Sequence, residues 1–98
     1  MDEVLSVNGI PIRLTEERWL HIVEARDELA DRSSDVLDVV HSPDWVTKGY
    51  RGSFVAWKGF GKRGFLAVIY KELDSKDGFI ITAFFTTKPK TRGKVWPR

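Results

Sequence analysis

Residues 65–87 read FLAVIYKELDSKDGFIITAFFTT. Phe65 to Leu73 is apolar on both faces, which predicts a central strand rather than a half-solvated one. Asp74 to Gly78 is polar and reads as a turn. Gly78 to Thr87 then predicts a second central strand, with Phe79, Ile81, Ala83 and Phe85 on one face. Thr82, Phe84 and Thr86 fall on the other. Two such strands joined by a short turn pair antiparallel, so this stretch sets the middle of an antiparallel sheet.

Upstream, Trp45 to Lys48 reads as a short strand and Phe54 to Lys58 as an alternating one. Gly59, Gly61 and Gly64 frame the loop GFGKRG that leads into the central pair. Downstream, the basic tail KPKTRGKVWPR, residues 88–98, either pairs as a final strand at Lys94–Trp96 or stays mobile. Near the N-terminus, Val4 to Leu14 predicts a hairpin turning tightly at Asn8-Gly9. Pro11 has no N–H to donate, which predicts an edge position for the second hairpin strand.

Thr15 is a natural N-cap, with Glu16 and Glu17 opposing the positive end of a helix dipole. The first helix is expected to run to about Asp31, its stripe formed by Trp19, Ile22, Val23, Leu29 and Ala30. Arg26 falls near the middle of that stripe, so it must pair or point past the core into a cleft. Ser33-Ser34-Asp35 breaks and recaps the chain. A short second helix turns Val36, Leu37, Val39 and Val40 inward and ends at Ser42-Pro43. The expected fold is α+β: an N-terminal hairpin, then two helices on one face of a four- to five-stranded antiparallel sheet.

Ninety-eight residues make one domain with a modest core. There is no Cys, which removes disulfide scaffolds, thiolate catalysis and Cys-ligated zinc. The two His, His21 and His41, are too few for a His-built metal cage. No metal or cofactor is expected. No apolar run reaches membrane-spanning length, and MDEVLSV lacks the basic and apolar parts of a signal peptide. The expected location is the cytoplasm, away from membranes.

Charge divides the chain. Residues 1–44 carry 4 Lys/Arg and 11 Asp/Glu, whereas residues 45–98 carry 12 Lys/Arg and 3 Asp/Glu. The near-neutral total of +2 conceals the split. A one-signed surface attracts polyanions through counterion release, so nucleic acid is the expected partner. The plainer reading is that Lys and Arg keep the sheet soluble and its edges unpaired.

GFGKRG superficially resembles a phosphate fingerprint, but a strand-like segment follows it where a phosphate cradle needs a helix. It reads instead as a hairpin tip whose Lys62 and Arg63 can grip a backbone phosphate. His21 is the one obvious acid/base candidate on a long helix. It lies off the apolar stripe among Glu17, Glu24 and Glu28, and geometry alone favours a solvated histidine there. His41 reads as an exposed residue favoured by a helix C-terminus. Aromatics alternate with cations from Trp45 to Phe60, mostly as core, with one or two left to stack on unpaired bases.

Several segments together resemble the Barnase–EndoU–Colicin–RelE superfamily of small nucleases, in particular its phage-associated and BrnT-type branches. They are RLTEERWLHI (Arg13 to Ile22), SPDWV (Ser42 to Val46), FLAVIY (Phe65 to Tyr70), GFIITAFFTTK (Gly78 to Lys88) and Val95-Trp96. The resemblance implies a RelE- or barnase-like domain that cleaves RNA without metal, as a toxin paired with an antitoxin-like protein. The RNA would be single-stranded or ribosome-associated. In that scheme the 2′-OH attacks the phosphate, a base takes its proton and an acid protonates the leaving oxygen. Carried onto this chain, His21 is the acid or base, with Thr82 and Lys88 beside it in the catalytic set. Arg13, Arg18, Arg26 and Thr86 contact substrate, Thr82 and Thr86 through hydrogen bonds from the sheet; Lys62 and Arg63 join the substrate contacts from the hairpin-tip reading instead. The family pattern ends its first helix in His-Pro-Glu-Leu, where this chain has Arg26-Asp27-Glu28-Leu29. The alternative is a non-catalytic interaction module of the same fold whose basic face docks an acidic protein.

Overall fold

The structure is a computed structural model that describes residues 2–98. Seven strands form one sheet: β1 (Asp2–Leu5), β2 (Pro11–Leu14), β3 (Trp45–Lys48), β4 (Phe54–Gly59), β5 (Phe65–Asp74), β6 (Asp77–Thr86) and β7 (Lys94–Trp96). Their spatial order is β1-β2-β6-β5-β4-β3-β7. Two helices, α1 (Glu16–Ala25) and α2 (Ser33–His41), lie between β2 and β3 in sequence. The α+β class is as expected, with β5 and β6 in the middle.

The sheet is wider than the four to five strands expected, because the N-terminal hairpin joins it. β2 pairs with β6 in parallel at Arg13 and Phe79, the one parallel pair in an otherwise antiparallel sheet. Pro11 therefore lies in an inner strand, and β1 is the edge. The missing N–H costs nothing there, since Pro11 opens its strand and Arg13 alone registers with β6. The hairpin turn is also looser than a two-residue turn. Gly9 alone takes a positive φ, at 77°, with its N–H donating to Ser6 O at 2.9 Å. At the other edge the tail segment Lys94–Trp96 pairs with β3.

α1 begins as its sequence predicts: Thr15 Oγ1 accepts from the Arg18 N–H at 3.1 Å. It stops six residues short of Asp31. Arg26 leaves helical geometry at φ −140°, ψ 76°, and residues 27–29 form a single 3-10 turn. Leu29 stays in the core across the break, as its place on the stripe predicts, while Ala30 is exposed. α2 carries no side-chain cap; Arg32 precedes it and pairs with Asp35 at 3.1 Å.

Both helices cover one face of the sheet. Ile22 of α1, Leu29, and Val36, Val39 and Val40 of α2 pack with Ile12, Leu14, Val46, Ala56, Leu66, Val68, Tyr70, Ile80 and Ala83. Fully burying each large aliphatic side chain stabilises the fold by about 1.5–3 kcal/mol relative to exposure. The expected alternation of β6 fails at one point. Ile69 pairs with Thr82 but Tyr70 pairs with Ile80, so Ile81 is an extra, bulged residue. The core face is therefore Ile80, Ala83 and Phe85, not Phe79, Ile81, Ala83 and Phe85. Phe79 joins Thr82, Phe84 and Thr86 on the opposite side. No helix among the described residues is long and apolar enough to cross a membrane.

Candidate nucleic-acid interface on the open sheet face

The face away from the helices has a small core of its own. Trp45 and Trp57, opposite each other on β3 and β4, stack with centroids 6.0 Å apart and planes at 13°. Phe65 meets Trp45 edge-on at 5.4 Å, and Phe84 meets Trp57 at 6.5 Å. The Trp57 indole N–H donates to Thr47 Oγ1 at 3.0 Å, which satisfies a threonine that is 0% exposed. Trp57 is only 4% exposed, so it is structural and unavailable to a base. Phe65, Ile69, Phe79 and Phe84 remain half-buried and form the accessible floor.

Residues 87–93 connect β6 to β7 past β5, β4 and β3. Three hydrogen bonds hold the far part of this strap: the Trp45 indole N–H to Lys90 O (2.9 Å), Lys90 Nζ to Lys48 O (3.2 Å) and the Lys48 N–H to Gly93 O (2.9 Å). At its near end the Lys88 N–H donates to Thr86 Oγ1 at 3.1 Å. Lys94 lies over the Trp45 ring at 5.8 Å. The strap thus leaves Lys88 beside Thr86 at the end of β6 and brings Lys90 to the β3 side, where Lys94 of β7 joins it.

α1 supplies the opposite rim. Arg26, displaced from the apolar stripe by the helix break, is exposed and has no side-chain hydrogen bond among the described residues. Its guanidinium sits 5.8 Å from the Phe84 ring centroid, between the positions of Thr82 and Thr86. Arg13 points to the same face because its neighbours Ile12 and Leu14 are in the core. It pairs with Asp77 and lies 6.0 Å over Phe79. Arg18 shares a cleft of about 170 Å³ with Arg13, Thr15, Phe79 and Ile80. Lys71, opposite Phe79 on β5, adds a cation that the family resemblance did not single out. Period-two alternation from Tyr70 is the signal that places it.

The carboxylates are drawn elsewhere. β3, β4 and β7 contain none. Glu72 accepts from Ser6 Oγ at 2.5 Å and Asn8 Nδ2 at 3.1 Å, Asp74 accepts from the Lys76 N–H at 2.8 Å, and Asp77 is taken by Arg13. Asp38 holds Lys58 at 3.0 Å beneath the helices. The sequence's division of charge thereby becomes a division between layers.

Of the expected site residues, Arg26, Thr82 and Thr86 converge, with Arg13, Arg18 and Lys88 around them. His21 is exposed and forms no hydrogen bond to Thr82, Thr86 or Lys88. At 100° per residue it shares the Arg18–Ala25 flank of α1, the flank toward the open face. Lys62 and Arg63 stand apart from the row. They occupy a 3-10 turn at Gly61–Arg63, where Arg63 lies 5.2 Å over Phe85 on the helix side. Asp27, Glu28 and Asp31 line the cleft beside Arg63. His41 does more than favour a helix end: its Nδ1 sits 3.0 Å from Leu5 O at the β1 edge. A carbonyl there requires the hydrogen on Nδ1.

Fold and face together define an α+β domain with an acidic helical layer and a cationic, aromatic sheet face. Comparison with protein-family models, curated proteins and solved structures returns no match in any of the three.

Proposed function

We propose that the open sheet face binds RNA as a single strand. The observation that carries this reading is the β6 row of Phe79, Thr82, Phe84 and Thr86. It is framed by Arg18 and Arg26 on one side and by Lys71 and Lys88 on the other. Aromatic rings offer stacking surfaces to any base, threonine hydroxyls offer donors and acceptors, and the flanking cations meet phosphates. Strands lie about 4.8 Å apart, so the floor of β5 and β6 between α1 and the Trp45–Trp57 pair is about 10–15 Å wide. One extended strand fits that width, while a duplex would rest on its rims.

The finer reading is a metal-independent ribonuclease of the superfamily that the sequence resembles. His21 would take or give the proton, Lys88 and Arg26 would stabilise the crowded phosphate, and Thr82 and Thr86 would orient it. His21 is solvated in the free protein, so bound substrate must complete this arrangement. An RNA panel incubated with purified protein in chelator tests both levels. Binding with cleavage supports the nuclease, and cleavage should be absent on DNA, which lacks the 2′-OH. Binding without cleavage leaves the RNA-binding module. Failure to bind any single strand at low salt removes the reading and leaves an acidic, antitoxin-like protein as the partner to seek.

A further inference from the structure

We infer that the open sheet face also receives the outer face of α1 from a second copy of this chain, in a weak head-to-tail contact. The inference does not rest on RNA binding. Ile22 points α1 into the core, so helical geometry turns Leu20 and Glu24 about 160° away from it, with Glu17 beside them. Leu20 is 60% exposed, a large apolar side chain between two carboxylates. The sheet face has the complementary composition: half-buried Phe65, Ile69 and Phe84 between the cations Arg26, Lys71 and Lys88. None of those cations has a carboxylate partner among the described residues. One surface offers an apolar knob ringed by acids, and the other an apolar floor ringed by bases.

The two surfaces belong to different sides of one molecule, so their contact is heterologous and uses a different patch on each copy. The molecule measures 31 × 29 × 22 Å, and a ten-residue helix presents a strip only about 15 Å long. The contact therefore falls below the roughly 1,200 Å² of stable complexes. Its attraction is mostly between exposed charges, which salt screens. The contact also occupies the cationic face, so self-association and polyanion binding compete.

Sedimentation velocity of the full chain tests this across a concentration series at about 20 mM and about 300 mM salt. At low salt the average mass should climb above 11.3 kDa with concentration without levelling off at a dimer, because a heterologous contact leaves a free patch at each end, and at high salt it should return to the monomer. Leu20→Lys and Arg26→Glu should each remain monomeric at low salt. A mixture of Glu24→Arg with Arg26→Glu should regain association that neither shows alone. Circular dichroism checks folding, and exposed Glu24→Arg stands in should Leu20→Lys unfold. A wild type that stays at 11.3 kDa in low salt overturns the inference. So does association that survives both Arg26→Glu and the α1 substitution, since it would use another surface.

Discussion

Salt dependence is the most direct reading of the open face. Five cations border its accessible floor without a carboxylate partner among the described residues: Arg18, Arg26, Lys71, Lys88 and Lys94. Arg13 is left out because Asp77 neutralises it. Each phosphate neutralised on a single strand contributes about −0.7 to the slope of log K against log salt, so five give about −3.5. Raising salt from about 50 to about 200 mM should then weaken binding about 100-fold, or about 2.8 kcal/mol. Fluorescence anisotropy on a labelled, unstructured 12-mer reads the slope. Lys71→Ala should lower its magnitude by about 0.7. Arg26→Ala should do the same and further weaken binding, by exposing Phe84 without its stacked guanidinium. Lys62→Ala with Arg63→Ala is the comparison: Arg63 sits on Phe85 on the helix side, so the slope should hold. A wild-type slope near zero, or one that falls for the Lys62/Arg63 pair and not for Lys71, refutes the assignment of the face.

Four further outcomes are expected. Tyr70 is 0% exposed and its hydroxyl finds no hydrogen-bond partner among the described residues, so Tyr70→Phe should stabilise the fold by about 1 kcal/mol. For a chain of this size that raises the melting midpoint by about 4–8 °C. Burial, with the Glu72 charge adding to it, pushes the Tyr70 hydroxyl above its ordinary 10.0. The folded state then keeps a proton that the unfolded chain loses, so stability declines as pH rises above about 10; Tyr70→Phe should remove that part of the decline in alkaline melts. Gly64 has φ +86° and a Cβ there would stand 2.5 Å from Thr86 O, so Gly64→Ala should cost about 1–3 kcal/mol in urea unfolding. If the domain cleaves RNA, His21→Ala should slow it roughly 100-fold with the melting midpoint unchanged; intact cleavage would move the proton transfer elsewhere.

Composition and periodicity were enough for the α+β class, the central β5–β6 pair, the inward valines of α2 and the segregation of charge along the chain. These are local properties: alternation, helical spacing and the sign of a side chain survive without knowledge of neighbours. Tertiary structure decided four things that local pattern cannot. The hairpin joined the sheet because β5 pairs with only one edge of β6, which left the other edge for β2 to meet at Arg13. α1 ended at Arg26, where the backbone leaves helical geometry, and the guanidinium went to Phe84 instead of into the apolar stripe. The bulge at Ile81 exchanged Ile80 for Phe79 on the core face, since one extra residue reverses every side chain upstream of it. The strap brought Trp45 and Lys90 together across 45 residues of chain. Charge per residue was legible in the sequence. Which carboxylates are consumed by partners, leaving one face cationic, depended on contacts such as Glu72 with Ser6, 66 residues apart, and only the folded chain makes them.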